Sequence, residues 1–241
     1  QPRRTAATAA ALMIGLTLVT LLSTLGSSAS ASVRKTINEL LPADYQVSTI
    51  NNSPIAKEVL PKIEEVEGVG GVHPVYGTVV KLADGKTERI AGYSDAAFGK
   101  TFALTIVDGR LYQAKGEAVV LEKTAKQRGW QVGDAIKVAA ASGVTELRIT
   151  GIASLPKGST NGPPVNVDIE TVQELKSGDD PLRISVMAKA DADKQAVKQA
   201  LADATQDMPL ITVADSDEYA DAQAASIDSL LNVIYALLGL A

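Results

Sequence analysis

Residues 116–138 read GEAVVLEKTAKQRGWQVGDAIKV, and residues 147–154 read LRITGIAS. The periodicity of their apolar residues, with Gly129 as a stop after the helical run, predicts four elements in close succession. They are a short buried strand at 118–121, a helix that ends at Arg128, a strand at 135–139 and a strand at 145–153. This succession indicates a mixed domain of the α+β class.

The residues before this stretch extend the β-structure. Residues 72–82 and 87–93 are predicted to be two strands joined at Asp84-Gly85, which is a favoured hairpin turn. Residues 45–50 alternate as a further strand, and a helical repeat of apolar residues follows them. The middle of the chain therefore contains a β-rich subdomain.

The residues after this stretch form a different unit. Residues 157–164 (KGSTNGPP) are predicted to be a solvated loop. A strand at 183–188, a helix with Asp191 as the candidate N-cap and a strand at 210–213 then form a β-α-β unit. A unit of this size indicates a ferredoxin-like subdomain.

The N-terminal end is the longest apolar stretch. Residues 5–33 contain no charged side chain, and residues 6–25 are the densest part. About 20 helical residues span the roughly 30 Å hydrocarbon core, so a transmembrane helix is predicted. The alternative is a cleaved signal peptide with Arg3 and Arg4 as its basic region and residues 29–31 as the cleavage site, but the apolar run is longer than such peptides usually have.

The C-terminal end, residues 227–241 (IDSLLNVIYALLGLA), is apolar around most of a helix. It is too short to span a bilayer, so we expect the start of a second transmembrane helix in a piece of a longer protein. A buried C-terminal helix of a soluble domain is the alternative. The predicted segments are a basic turn and first span at 1–31, a domain with stalk helices at 32–226, and the second span. Basic residues flank the first span on both sides, so charge alone leaves the orientation open.

The composition argues against nucleic-acid binding and against chemistry that depends on cysteine. The 241 residues carry a net charge of −5, which argues against nucleic-acid binding because such proteins need a basic face. The chain has no cysteine, which excludes thiolate metal sites and cysteine nucleophiles and is compatible with export.

No stretch predicts a catalytic, cofactor-binding or metal-binding residue. Residues 94–101 (SDAAFGKT) are similar to a phosphate-binding loop, but Ser94 replaces its first glycine, and a predicted turn at residues 108–109 follows instead of a helix. His73 is the only histidine and cannot build a multi-ligand zinc site. The acidic residues 215–221 lack the spaced ligands of a calcium loop. We therefore expect a chain without cofactors that is not an enzyme.

Six stretches carry a resemblance to a known family, and together they cover nearly the whole chain. They are PRRTAATAAALMIGLTLV (2–19), VEGVGGVHPV (66–75), VDGRL (107–111), the two stretches quoted first (116–138 and 147–154) and SIDSLLNVIYALLGLA (226–241). The pattern resembles the extracellular region of FtsX/MacB-type ABC transporter permeases.

The resemblance implies a multi-pass permease subunit in the cell membrane, with a cytoplasmic N-terminus and residues 32–226 outside. It implies three partners: a separate ABC ATPase subunit, the lipid bilayer, and a paired permease half or homodimer. Stalks at 33–41 and 216–229 would couple ATP-driven motion to export or extraction of a substrate. Two alternatives stay open: a secreted or membrane-anchored binding module without enzyme activity, and a membrane-anchored sensor or scaffold that moves nothing.

Overall fold

The computed structural model describes the backbone of residues 2–94, 97–140, 143–157, 159, 162–176 and 178–240. Side chains are described for these residues except 2–12, 14, 226–228, 230–232 and 235–240. The chain divides into two compact units. The stalk unit comprises Gln1–Asn38 and Asp217–Ala241, and the central unit comprises Glu39–Ser216.

Within the described residues, helices and strands alternate along the chain. The helices are α1 (Pro2–Leu40), α2 (Val59–Glu64), α3 (Glu122–Arg128), α4 (Ile169–Leu175), α5 (Lys194–Ala204) and α6 (Ser216–Leu240). The strands are β1 (Tyr45–Thr49), β2 (Val69–Leu82), β3 (Thr87–Gly92), β4 (Thr105–Gly109), β5 (Glu117–Leu121), β6 (Ala135–Ala140), β7 (Gly143–Ser154), β8 (Val165–Val167), β9 (Arg183–Ala188) and β10 (Ile211–Asp215).

The first and last strands of the central unit form one subdomain. The strand order is β10-β1-β9-β2, and every neighbouring pair is antiparallel. Helix α2 connects β1 to β2, helix α5 connects β9 to β10, and the two helices contact each other. Interleaved strand-helix-strand units of this kind are the ferredoxin-like arrangement, so the predicted subdomain is confirmed. Its apolar core includes Tyr45, Val47, Ile63, Ile184 and Leu201.

The β-rich subdomain is inserted between β2 and β9. Strand β2 serves both subdomains, because residues 69–75 pair with β9 and residues 76–81 pair with β3. The pairing then runs β3-β8-β5-β7-β6 and returns from β6 to β2, so six strands form a closed ring. Val80, Ile90 and Leu147 are buried in the ring core. Strand β4 pairs with β7 outside the ring.

Local chemistry explains the elements that the sequence predicted well. Gly129 ends α3 in the left-handed conformation, with φ 69°, and its N–H donates to the Ala125 carbonyl. The Asp84-Gly85 turn joins β2 to β3, and the Gly85 N–H donates to the Leu82 carbonyl at 2.9 Å. Both interactions join residues that are close together in the sequence. The local residue pattern was therefore sufficient to predict the end of the helix and the turn.

Two local predictions were wrong. Asp193, not Asp191, caps α5, because its Oδ1 accepts from the N–H groups of Gln195 at 2.9 Å and Ala196 at 3.3 Å. The turn predicted at residues 108–109 belongs to β4, which pairs with β7 through a register shift. Asp191 and Asp193 are equally suitable as N-cap residues, and Asp108-Gly109 is compatible both with a turn and with an irregular strand.

Helix α4 and strand β8 were not predicted. Strand β8 has three residues and is buried on both sides, so it shows no alternation. Helix α4 has seven residues and begins two residues after β8 ends. A capping signal is nevertheless present, because the Asp168 side chain accepts from the Thr171 N–H at 2.9 Å.

The stalk unit contains α1 up to Asn38 and α6 from Asp217. Helix α1 runs without a break to Leu40, so the helical continuation predicted for residues 33–41 is confirmed to within one residue. Among the described residues, one helix, Gly15–Leu40, is long and apolar enough to cross a membrane, by length and composition. Helix α6 covers the second predicted span as backbone. Most side chains of that span lie outside the described residues, so it stays a prediction.

Candidate functional site

The chain enters the central unit through a buried segment at the end of α1. Leu40, Leu41 and Ala43 are buried, and the Ala103 N–H donates to the Leu40 carbonyl at 2.8 Å. Full burial of a leucine side chain stabilises a fold by about 1.5–3 kcal/mol, so the two leucines hold this end of the helix on the domain. We call Leu40–Ala43 together with the loop 97–104 the entry anchor.

The chain leaves the central unit next to the point where it enters. Ser216 Oγ donates to the Ala43 carbonyl at 2.7 Å. Strands β1 and β10 are paired from Tyr45 opposite Asp215 onward, so the strands that follow α1 and precede α6 are neighbours in one sheet. Lys198 Nζ also contacts the Asp215 carboxylate at 2.8 Å. Entry and exit are therefore parts of one hydrogen-bonded structure.

Aromatic side chains hold the loop that contacts Leu40. The rings of Tyr93 and Phe102 are stacked with centroids 5.0 Å apart, and those of Phe98 and Tyr112 meet edge to face at 6.1 Å. The Tyr112 hydroxyl donates to the Tyr93 carbonyl at 2.9 Å. Complete burial raises the pKa of the Tyr93 phenol, which keeps it neutral. The entry anchor thus rests on a packed cluster within the central unit.

The ferredoxin-like sheet carries a cross-strand row of polar side chains. Gln46, Ser185 and His73 are register partners on β1, β9 and β2. Gln46 and Ser185 are buried, and Ser185 Oγ donates to Gln46 Oε1 at 2.9 Å. Burial first, and the charge of Lys100 second, lower the pKa of His73. Lys100 belongs to the loop of the entry anchor, so this loop lies close enough to His73 to influence its charge.

Within the stalk unit, α1 and α6 contact each other. Arg34 Nε lies 2.6 Å from Asp221 Oδ1, and Asn38 Nδ2 donates to Asp217 Oδ1 at 2.8 Å. Within the stalk unit, the buried positions of the described parts of these helices are small residues, spaced by four along each helix: Gly26 and Ser30 on α1, and Ala220 and Ala224 on α6. Small residues at this spacing allow helices to approach closely.

The residues that the sequence analysis tested for chemistry are dispersed. The described part of residues 94–101 forms turns rather than a phosphate-binding loop, and residues 95 and 96 lie outside the described part. His73 is a strand residue. In the acidic run, Asp215 contacts Lys198, whereas Asp221 contacts Arg34. No group of three or more His, Cys, Asp or Glu in the described part of the chain is placed to hold a metal ion.

The chain was compared with known protein families, and one family model matches it. A family model described as the MacB-like periplasmic core domain matches residues 5–204. The chain belongs to this family. The MacB-like core domain is part of ABC transporter permease-like proteins, as the resemblance predicted. No curated protein sequence matches the chain.

Solved structures share the fold of this MacB-like core domain. The periplasmic region of MacB from Actinobacillus actinomycetemcomitans is similar with a TM-score of 0.58 at 13% identity, over 77% of this chain and 94% of that one. The extracellular domain of the noncanonic ABC-type transporter YknZ from Gram-positive bacteria is similar with a TM-score of 0.50 at 14% identity, over 71% and 98%. At these identities the likeness shows the fold.

One interaction in the MacB-like core domain joins two of the stretches that carried the resemblance. The Arg110 guanidinium binds both Glu117 carboxylate oxygens, at 2.7 and 2.5 Å, and the N–H groups of Gln113 and Ala114 donate to Oε2. These contacts lower the pKa of Glu117 to about 2, with the Arg110 hydrogen bonds as the largest cause. Arg110 lies in residues 107–111 and Glu117 in residues 116–138, and their pairing was not predicted from the sequence.

Proposed function

We propose that this chain is part of the permease subunit of an ABC transporter. Its central unit couples ATP-driven motion of a separate ATPase subunit to export or extraction of a substrate. Family membership supports the transporter class. The observation that carries the coupling is the shared structure of entry and exit, in which Leu40 and Ser216 are both hydrogen-bonded into the central unit. A domain whose two ends are held this way responds when its flanking helices move.

The proposed arrangement in the membrane follows the resemblance. Residues 32–226 lie outside the cell, α1 crosses the bilayer, and residues 227–241 begin a second span. The partners are the lipid bilayer, the ATPase subunit, and a paired permease half or a second copy of this subunit. The chain itself has no catalytic role, because hydrolysis of ATP belongs to the partner.

The proposed mechanism is a mechanical one with two states. Closure of the ATPase dimer shifts the spans, and the stalks at 33–41 and 216–229 move the central unit. Each state must make different contacts if ATP is to shift their populations. The Arg34–Asp221 and Asn38–Asp217 contacts in the stalk unit are candidates for contacts that change.

Coupling is tested in the full-length protein with its ATPase in lipid nanodiscs. A single cysteine replaces Lys100, an exposed residue of the entry anchor, and carries an environment-sensitive dye. We expect ATP to change the emission of the dye. Flexible Gly-Ser insertions after Arg34 and after Asp221 should abolish this change, whereas the same insertion after Asp84, in an exposed hairpin, should preserve it. An unchanged response after the stalk insertions would refute mechanical coupling.

Topology distinguishes the permease from a secreted binding module. In this cysteine-free chain, Lys86→Cys, at an exposed position of the central unit, should react with a membrane-impermeant thiol reagent in intact cells, and Arg3→Cys only after permeabilisation. A mature chain that begins near residue 32 would instead support the secreted module.

A further inference from the structure

A groove of about 660 Å³ lies on the central unit. It is formed by the start of β3, by α3 and by the segment after β7. Arg89, Lys123 and Lys157 come from these three elements in turn, and Lys86 lies at the hairpin beside β3. All four side chains are exposed to solvent.

The carboxylates that line this groove already have cationic partners. Glu88 accepts from Arg128 Nη2 at 2.9 Å, and Glu122 contacts Lys126 Nζ at 2.6 Å. Among the described residues, Arg89, Lys123 and Lys157 have no carboxylate partner. A chain with a net charge of −5 thus has a groove with an excess of positive charge. Such a local excess attracts an acidic ligand and accelerates its association.

The shape of the groove indicates an extended ligand rather than a single anion. Its cations come from three separate elements instead of converging from one loop, and a single oxyanion would occupy little of its volume. Apolar side chains, among them Leu121 and Leu155, line it as well. Strand β8 pairs with β3 only from Ile90 to Gly92, so within the described part of the chain residues 87–89 have a neighbouring strand, β2, on one side only.

From this combination we propose that the groove binds an acidic, extended peptide segment of a partner protein. Backbone groups along residues 87–89 contact the peptide backbone, and Arg89, Lys123 and Lys157 bind its carboxylates. The inference goes beyond the proposed coupling and does not depend on it, because every lining residue belongs to the central unit.

The test uses the full chain in nanodiscs of neutral lipid and a fluorescein-labelled hexaglutamate peptide, followed by fluorescence anisotropy. The groove variant combines Arg89→Gln, Lys123→Gln and Lys157→Gln. The matched control combines Lys62→Gln, Lys137→Gln and Arg148→Gln, three exposed cations outside the groove. We expect the groove variant to bind the peptide about tenfold more weakly and the control to bind within about twofold of wild type. Binding should also weaken as salt screens the charges.

Several results would overturn the proposal. Equal losses in the groove variant and the control would mean that net charge, not the groove, governs binding. Complete displacement of the peptide by millimolar inorganic phosphate would indicate a small-anion site instead. Groove-dependent binding to phosphatidylserine vesicles without binding to hexaglutamate would indicate a membrane surface. Because all three substituted side chains are exposed, the groove variant should unfold at the wild-type temperature, and its circular dichroism melt verifies this.

Discussion

Replacement of Glu117 by Gln tests the interaction that joins two distant stretches of the chain. The Glu117 carboxylate is largely buried, with 16% of its side chain exposed, and accepts hydrogen bonds from Arg110 and from two backbone N–H groups. Gln keeps the shape but loses the charge, so the Arg110 guanidinium is left without its counter-charge. The expected result is a less stable central unit with an unchanged fold.

The pKa of Glu117 determines how much stability the Glu117→Gln substitution is expected to remove. The pKa falls from an ordinary value of 4.5 to about 2 on folding. Each pKa unit corresponds to about 1.4 kcal/mol, so this carboxylate contributes at most about 3.5 kcal/mol at neutral pH. The Arg110 side chain is 47% exposed, and solvent screens the pair. We therefore expect Glu117→Gln to lower the free energy of unfolding by about 1–2 kcal/mol at pH 7.

The pH dependence has a defined sign. Because the pKa of Glu117 is lower in the folded state, its contribution is fully present above pH 4.5 and is lost as the pH falls towards 2. The difference between wild type and variant should therefore shrink by about half or more between pH 7 and pH 3.

The assay is urea unfolding of a fragment of residues 39–216, followed by the fluorescence of Trp130, the only tryptophan of the chain. Glu174→Gln is the matched control, because Glu174 pairs with Lys115 but has 59% of its side chain exposed. We expect the control to change the stability by less than about 0.5 kcal/mol. A Glu117→Gln effect as small as that of the control, or one that does not change between pH 7 and pH 3, would refute the reasoning.

Two further predictions use the same fragment and unfolding assay. Asp193→Ala should lower the free energy of unfolding by about 1 kcal/mol because the cap of α5 is lost, whereas Asp191→Ala should change it by less than about 0.5 kcal/mol. Equal effects of the two variants would contradict the cap assignment. Gly151→Ala should destabilise the fragment by about 1–3 kcal/mol, because a Cβ at this position would lie 2.3 Å from the Arg110 carbonyl oxygen. Wild-type stability of Gly151→Ala would show that this backbone contact can relax without loss.

Prediction from the sequence was accurate where the deciding interaction was local. The Asp84-Gly85 turn and the Gly129 helix end depend on backbone conformations that few residue types favour. It was inaccurate where two residues of one type lay close together, as with Asp191 and Asp193. Their side chains are chemically identical, so the residue type alone could not decide between them.

The candidate site was predicted only as a pair of stalks. The pattern indicated helices on both sides of the domain, but not that Ala103 donates to the Leu40 carbonyl or that β1 lies beside β10. These contacts join residues far apart in the chain, and no periodicity reports on such pairings. The cationic groove was missed for the same reason, because Arg89, Lys123 and Lys157 form no charged run in the sequence.

The sequence by itself determined the apolar N-terminal helix, the mixed α+β class and the ferredoxin-like unit, because each follows from composition or from periods of two and 3.6 residues. Only the tertiary structure decided that β2 serves both subdomains and that six strands close into a ring. It also decided that Arg110 pairs with Glu117 and that the chain enters and leaves at neighbouring strands. These features depend on which strands pair when they lie far apart in the sequence. That pairing is determined by burial and hydrogen bonding in the whole domain, not by local residue patterns.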